Sequence, residues 1–389
     1  MEYIFLLGAG QGLLLTVFLL TKKENFLANR IFALAIFAYT LDILNAFILA
    51  DKLFLRFPVL IGLGGPLPFV YSPAIYLYTV YFNRKYKQFR KKDLLHFIPV
   101  LLMILAGIRL FFLSTPEEKI ALMNPNTPKS IWIIISRTII PFYGILYTIL
   151  SLFEVRKYHI RLKDNFSDIE RLKLNWLVYL LLGIIIEWLL EFVQIFLIEV
   201  LRYGEAVFYN YIYLFVSLFM YLVAYKSLQQ PEIYMETDNE EQETADITEQ
   251  KTAIKKRAGY KKSGLTDEKA SEYTEKLLEI MDKEKPYINP EINLNELAGM
   301  LNISPHNLTE IINTRLHVSF YDFISSYRVE EVKRLMAADA DEKYSILSIA
   351  LDAGFNSKSA FNNVFKKITG ITPSDFRKEI AGKASGKTE

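Results

Sequence analysis

Seven long apolar segments in the first 226 residues limit the possible folds of this chain more than any other feature. Crossing ~30 Å of hydrocarbon takes about 20 helical residues, and each segment is close to that length. The segments also lack the polar faces that a large soluble helical core would need. They predict a transmembrane sensor domain over 1–226, with helices at approximately 3–21, 31–50, 58–82, 94–113, 131–153, 174–198 and 207–226.

The charge of the connecting loops predicts how this bundle is oriented. The first segment is predicted to be a retained helix and not a signal peptide, because its bases Lys22 and Lys23 follow the apolar run. Basic loops stay on the cytoplasmic side. The prediction is a multi-pass protein of the bacterial cytoplasmic (inner) membrane, with its N-terminus outside and everything after Tyr225 in the cytoplasm. Fourteen Lys and Arg lie in loops 22–30, 83–93 and 154–171, against five in loops 51–57, 114–130 and 199–206.

Several polar side chains fall inside the predicted spans, where charge is expensive and usually functional. Glu187, Glu191 and Gln194 have the i, i+4, i+7 spacing of one helix face, and Arg137 is predicted to pair with Glu191. Two interpretations stay open: a structural network that orients the helices, or a pocket for a ligand or ion. The full set of candidates is Asp42, Asn45, Arg109, Arg137, Glu187, Glu191 and Gln194.

A change of composition marks the end of the membrane part. Residues 231–250 hold eight acids and no base, and a basic cluster follows within 255–262. We interpret 227–265 as a flexible acidic and basic linker, although the basic cluster could also touch anionic lipid or DNA. A connecting helix over 266–284 is predicted next, capped by Thr266. Its apolar stripe either packs onto the following domain or pairs with another subunit.

The region 285–382 carries two helix-turn-helix patterns and is predicted to be a purely helical domain. Because the spans in 1–226 are also predicted to be helices, the whole chain is predicted to be all-α. Apolar residues at helical spacing precede Ser304-Pro305, an N-cap followed by proline, and a helix over 305–314. The pattern recurs with a turn at Gly354, a cap at Ser357 and a helix over 358–369. One amphipathic helix over 320–338 separates the two copies. Its length of roughly 28 Å approaches the ~34 Å between successive major grooves on one face of DNA.

The remaining composition excludes several classes of chemistry. The chain has no cysteine, which rules out disulfides, thiolate catalysis and Cys-based metal sites, and its four scattered histidines argue against a His-only metal site. No nucleophile elbow, phosphate loop or helical metal motif occurs, so we expect no enzyme activity, metal or cofactor. In contrast, 354–378 holds five bases (Lys358, Lys366, Lys367, Arg377, Lys378) against one acid, which fits contact with phosphate.

From about 285 to 379 the sequence resembles the DNA-binding domain of AraC/XylS-type transcriptional regulators. The resemblance rests on Asn295-Glu296-Leu297-Ala298, Leu301-Asn302-Ile303-Ser304, Phe323-Ile324, Tyr327-Arg328, Ile349-Ala350, Gly354-Phe355, Ser357, Ser359, Phe361, Phe365-Lys366, Gly370, Thr372-Pro373 and Phe376-Arg377. It implies that the side chains that contact bases are His306, Thr309 and Glu310 on the first helix and Lys358, Ser359, Asn362 and Asn363 on the second. Asn313, Lys366 and Lys367 also face outward on these helices and complete the predicted DNA-binding set. Many members of that family have Arg where this chain has Asn363.

These patterns lead to two hypotheses of function. The first is a membrane-bound one-component regulator that binds double-stranded promoter DNA in response to an unknown small-molecule or membrane signal, with the lipid bilayer and a second copy of the chain as further partners. The second is a transporter or channel whose DNA-binding domain regulates its own expression. The absence of an obvious inverted repeat argues against the second. Residues 383–389 are expected to form a disordered tail.

Overall fold

The computed structural model describes residues 2–23, 25–84, 88–123, 131–170, 172–199, 215, 226, 265–339 and 342–385 of the chain. All regular elements in these ranges are helical, and the one β-type pairing among them is an isolated bridge between Phe166 and Asn293. The prediction of an all-α fold is therefore confirmed for the described residues. The chain divides into two compact units. The first comprises Met1–Tyr158 and Leu174–Thr237, and the second comprises His159–Lys173 and Asp238–Glu389.

The first unit is built mainly from long apolar helices. Four helices of the described residues are long and apolar enough to cross a membrane: Tyr3–Thr21, Phe26–Ala50, Arg137–Asn165 and Asn175–Leu197. They correspond to the first, second, fifth and sixth predicted spans. The seventh predicted span, 207–226, lies outside the described residues except for two positions. The helices are α1 (Glu2–Thr21), α2 (Phe26–Ala50), α3 (Pro68–Arg84), α4 (Ile98–Ala106), α5 (Pro116–Leu122), α6 (Ile131–Asn165) and α7 (Asn175–Glu199).

The third predicted span is not one continuous helix. A short 3-10 turn at Pro58–Leu60 and further turns precede α3, which begins only at Pro68. The cause is the sequence Gly-Leu-Gly-Gly-Pro over 62–66, because glycine and proline both disfavour a helix interior. Gly62 has a φ of 92°, and a Cβ at Gly64 would lie 2.4 Å from Nδ2 of Asn45. This segment therefore lets the chain turn close to α2.

The fourth predicted span is also interrupted. A 3-10 helix covers Lys91–Phe97, α4 has only nine residues, and a π-helical turn covers Arg109–Leu113. The break falls at Gly107, the C-cap of α4. Glycine loses more conformational entropy in a helix than any other residue. The prediction of one unbroken helix over 94–113 is wrong for this reason.

The second unit consists of shorter, well-capped helices. After a 3-10 turn at Pro286–Ile288, short helices lie on both sides of one long helix. The helices are α8 (Asp267–Lys283), α9 (Leu294–Leu301), α10 (Pro305–Glu310), α11 (Phe320–Ala338), α12 (Ile346–Asp352), α13 (Lys358–Thr369) and α14 (Pro373–Ser385), and α10 continues into a π-helical turn over Ile311–Arg315.

Two hydrophobic clusters stabilise this unit, and α11 contributes to both. Its first half supplies Phe320, Phe323 and Ile324 to a cluster with α9 and α10. Its second half supplies Val329, Val332 and Met336 to a cluster with α12 and α13. Leu277 and Met281 of α8 are fully buried in the first cluster. The apolar stripe of the connecting helix therefore packs onto the domain that follows it, which is the first of the two arrangements predicted for this stripe.

Candidate nucleic-acid interface

The first helix-turn-helix is α9 followed by α10, and local capping explains its geometry. Asn293 and Glu296 form a reciprocal capping box at the start of α9. The helix ends at Asn302, which has a left-handed φ of 57° that asparagine tolerates. Ser304 then caps α10 by accepting a hydrogen bond from the Asn307 N–H at 3.2 Å. The turn between the helices is thus determined by local interactions, the left-handed residue Asn302 and the cap at Ser304.

The second helix-turn-helix is α12 followed by α13. Between them Gly354 adopts a φ of 95°, a conformation that L-amino acids with a side chain rarely reach. Oγ of Ser357 accepts from the Ala360 N–H at 3.2 Å and so caps the start of α13. The helix ends at Gly370, whose φ is 81°. Phe361, Val364 and Phe365 face the second cluster and hold α13 in place.

Every candidate contact residue on α13 is solvent-exposed. The exposed face is the one opposite the buried aromatic residues, as the sequence pattern predicts for an amphipathic helix. Lys367 is already engaged, because its Nζ lies 2.8 Å from Oδ1 of Asp322 on α11. Burial opposes charge at Asp322, yet hydrogen bonds from Lys367 and Ser319 outweigh it and hold the pKa of this carboxyl below its usual value. The exposed set is Lys358, Ser359, Asn362, Asn363, Lys366 and Lys367.

The candidate residues on α10 differ more among themselves. His306 and Asn313 are exposed. The Thr309 hydroxyl, however, donates to the Pro305 carbonyl at 3.0 Å, so it is occupied within its own helix. Glu310 is half-buried, and its Oε2 is buried without a hydrogen-bond partner. The face of α10 that is free to touch a ligand is therefore narrower than the sequence pattern indicates.

One of the five bases in the basic patch is used to hold the fold together. Nη2 of Arg377 on α14 lies 2.6 Å from Oδ2 of Asp339, and both side chains are largely buried. Asp339 is the C-cap of α11, so this ion pair joins α14 to the end of the long helix. Arg377 is therefore less accessible to phosphate than the exposed bases of α13, and the sequence does not show this because Asp339 is distant in the chain.

Sequence reasoning also missed the central role of Arg328. This side chain is only 2% exposed. Its Nε donates to the Tyr287 carbonyl at 2.8 Å, its Nη2 to the Asn289 carbonyl at 2.9 Å, and its Nη1 to the Ser167 carbonyl at 3.2 Å. Burial lowers the pKa of Arg328 to about 10, against the opposing effect of nearby Asp168. The sequence signals Arg328 only as part of the Tyr327-Arg328 match.

In the first unit, three predicted acids lie together around two tyrosines. The Tyr39 hydroxyl donates to Oε2 of Glu187, and the Tyr71 hydroxyl donates to Oδ2 of Asp42 at 3.4 Å. The two tyrosine rings are 4.5 Å apart. Glu191 is close enough to both other acids to interact with them electrostatically. We call Tyr39, Asp42, Tyr71, Glu187 and Glu191 the polar cluster.

The other candidates from the predicted spans lie in different surroundings. Arg137 interacts electrostatically with Glu191, in line with the predicted pairing. Gln194 is buried, and its Oε1 has no hydrogen-bond partner. Asn45 packs against the backbone at Gly64. Arg109 is exposed at the start of the π-helical turn. No set of three or more possible metal ligands occurs in the described parts of the chain.

Comparison with known proteins supports the interpretation of the second unit. Residues 297–379 match the helix-turn-helix domain family. The Msm operon regulatory protein of Streptococcus mutans is 33% identical over 89 residues, covering 23% of this chain and 31% of that protein. The melibiose operon regulatory protein of Escherichia coli is 31% identical over 87 residues, covering 22% of this chain and 28% of that protein.

The family match lies in the C-terminal part of the chain, at 297–379. The C-terminal domain of AraT, a response regulator from Geobacillus stearothermophilus, is 24% identical, with 30% of this chain and 88% of that chain covered and a TM-score of 0.24. The chain spans between about a tenth and a third of the length of the curated relatives it matches. The family match and the two operon regulators support the AraC-type resemblance of the C-terminal region.

Proposed function

We propose that this protein is a membrane-bound transcription regulator that binds promoter DNA sequence-specifically. The observation that carries the proposal is the exposed polar and basic face of α13, on a capped helix within a region that matches the helix-turn-helix family. The two relatives are named as regulatory proteins of operons, which supports a role in regulating transcription. Proteins of this class act by binding rather than by catalysis, so no enzyme activity is assigned.

Each exposed residue type on α13 has a specific chemical use on DNA. An Asn side chain can make two hydrogen bonds to adenine in the major groove, so Asn362 and Asn363 are assigned to base recognition. Lys358 and Lys366 are assigned to backbone phosphates, whose contacts position a protein without specifying sequence. His306 on α10 and Asn313 in the π-helical turn that continues it are likewise assigned to contacts with DNA. Because the two helices differ in sequence, one chain would recognise an asymmetric site.

Replacing Asn362 by Ala is expected to weaken binding to the cognate site by about 1–3 kcal/mol, since a bidentate contact to a base is lost. Binding to unrelated DNA should not change. Lys366 lies one turn further along the same face, and its replacement by Ala should weaken both kinds of binding. The slope of the logarithm of the binding constant against the logarithm of the salt concentration should fall by about 1, since one phosphate contact is lost. Fluorescence anisotropy of the full chain in lipid nanodiscs, at several salt concentrations, measures both.

The cognate duplex for this measurement is the strongest site found by genome-wide mapping of where the full chain binds. Asn363→Ala is the second test of base recognition on the same helix. If Asn362→Ala and Lys366→Ala reduce specific and non-specific binding in the same proportion, α13 does not recognise bases and the assignment fails. If the full chain binds no genomic site, the proposed function itself fails.

The first unit is proposed to anchor the regulator and to receive its signal. The four apolar helices and the basic loops support a multi-pass protein of the inner membrane whose second unit is cytoplasmic. The proposal retains seven spans, with the third and fourth made of broken helices. Acids inside a membrane are costly unless they are paired or functional. The polar cluster has more carboxyl groups than bases, which supports a role in binding a cationic or hydrogen-bonding signal.

Replacing Glu187 by Gln is expected to change transcription from a target promoter several-fold in cells, while the DNA affinity of the solubilised protein stays unchanged. The substitution alters the hydrogen bond from Tyr39 and the charge of the polar cluster. It leaves the DNA-binding residues, which are far away in the sequence, unaltered. Glu117→Gln, which neutralises an exposed acid on α5, is the matched control. Equal transcription in all three proteins would contradict a sensing role, and altered solute flux would instead support the transporter alternative.

A further inference from the structure

The segment between α6 and α7 belongs to the second unit, although the helices that flank it are long and apolar. Helix α6 ends at Asn165 and α7 begins at Asn175. The compact second unit contains His159–Lys173 together with the helix-turn-helix region. We call the segment 166–170 the docking loop. Its position in the sequence is more than a hundred residues from the domain on which it lies.

The docking loop is held against the domain by backbone and side-chain hydrogen bonds. Phe166 forms an antiparallel bridge with Asn293, the N-cap of α9. Oγ of Ser167 donates to the Ile292 carbonyl at 2.6 Å, and Ser167 is only 3% exposed. Burying a hydroxyl is unfavourable unless it is hydrogen-bonded, so this contact is a specific fit rather than a chance approach.

Arg328 connects the docking loop to the junction of the two helix-turn-helix motifs. Its Nη1 donates to the Ser167 carbonyl, and its Nη2 reaches Oγ of Ser167 at 3.2 Å. The same guanidinium also donates to the carbonyls of Tyr287 and Asn289, which belong to the domain itself. Release of the loop would therefore leave Arg328 with part of its hydrogen bonds. The undocked form therefore costs less free energy than one in which Arg328 loses all of its partners.

The docking loop also places a carboxylate beside the start of α13, the second helix of the second helix-turn-helix. Oδ2 of Asp168 accepts a hydrogen bond from Nδ2 of Asn356 at 2.8 Å. Asn356 immediately precedes Ser357, the N-cap of α13. Helix N-termini attract anions, and DNA phosphates commonly bind there. A carboxylate held at this end is negatively charged, as phosphate is, and would compete with a DNA phosphate for the N-terminus of α13.

We propose that the docking loop is an intramolecular inhibitor of DNA binding, which occupies the junction of Arg328 and Asn356 and is withdrawn when α6 and α7 change their packing. This inference rests on the proposed function and adds a route of regulation to it. The route passes through nine residues between two helices. It does not require the long linker 227–265 to transmit a movement, which a flexible chain does poorly.

The absence of cysteine in the native sequence allows a direct test. In the double variant Asp168→Cys, Asn356→Cys the two introduced thiols are the only ones in the chain. In lipid nanodiscs, a short bis-methanethiosulfonate reagent should cross-link them, and reduction should release them. We expect the cross-linked protein to bind the cognate duplex at least tenfold more weakly than the same protein after reduction. The single-cysteine variants, treated in the same way, control for modification of either site alone.

A second variant keeps the test independent of the introduced thiols. Asp168→Ala removes the competing carboxylate and should bind the duplex several-fold more tightly than the native protein. No cross-link in the double variant, or a cross-link that leaves affinity unchanged, overturns the inhibitory role, as does unchanged affinity of Asp168→Ala. If neither the reduced double variant nor the native protein binds any DNA, the proposed function has failed, which is a different outcome.

Discussion

Replacing Arg328 by Met is expected to lower the free energy of opening of the second unit by about 3 kcal/mol or more. The methionine fills a similar volume but donates no hydrogen bond. It leaves the buried Tyr287 carbonyl without this donor and also removes the donors to the Asn289 and Ser167 carbonyls, and each hydrogen bond to a charged group contributes about 1.5–3 kcal/mol. A loss of this size is a large part of the marginal stability of a small domain.

Hydrogen exchange of the full chain measures this effect, because it reports the opening energy of amides in α12 and α13 separately from the apolar helices. Lys333→Met, five residues further along α11, is the control. Lys333 pairs at 2.8 Å with Glu330, an exposed acid, so its replacement should cost less than about 1 kcal/mol. If both variants open equally easily, the buried hydrogen bonds of Arg328 are not what stabilises the unit.

Replacing Gly354 by Ala is expected to have a comparable effect for a different reason. A Cβ at this position would lie 2.3 Å from the Tyr287 carbonyl oxygen and 2.9 Å from that of Ile288, and backbone cannot move aside cheaply. The φ of 95° adds strain of about 1–3 kcal/mol for any residue with a side chain. We expect a total loss of about 3 kcal/mol or more, together with loss of DNA binding through displacement of α13.

Two other glycines separate the two causes. Gly370 also has a positive φ, 81°, but an added Cβ would meet nothing within 4 Å. Gly370→Ala should therefore show the conformational strain alone, about 1 kcal/mol. Gly299 lies inside α9 with open space around it, so Gly299→Ala should stabilise the helix by about 1 kcal/mol. Any other order of the three alanine variants in the same exchange experiment would contradict the close-contact explanation.

The elements that could be predicted from sequence are those specified by local signals. Thr266, Ser304 and Ser357 each cap the helix that they were predicted to cap, since capping depends only on neighbours in the chain. The long helix α11 follows from its uninterrupted amphipathic pattern. The errors in the third and fourth predicted spans have the opposite origin. Mean hydropathy there was high, and it outweighed the glycines and prolines that end helices.

The features that could not be predicted depend on residues distant in sequence. Nothing near Arg377 indicates that Asp339 will hold it, and nothing near Arg328 indicates that Ser167 will accept its hydrogen bond. The face of α10 shows the same limit. Helical periodicity placed Thr309 and Glu310 outward, but it could not show that Thr309 is hydrogen-bonded to its own helix or that Glu310 is half-buried.

The double use of α11 has a consequence for the DNA that this domain could recognise. Because one continuous helix is part of both hydrophobic clusters, we expect the protein itself to fix the distance and the angle between α10 and α13. Inserting a few base pairs between the two halves of a binding site would rotate one half away from its helix. Binding by this protein should therefore tolerate such insertions less well than binding by regulators whose two DNA-binding motifs are joined by a flexible chain.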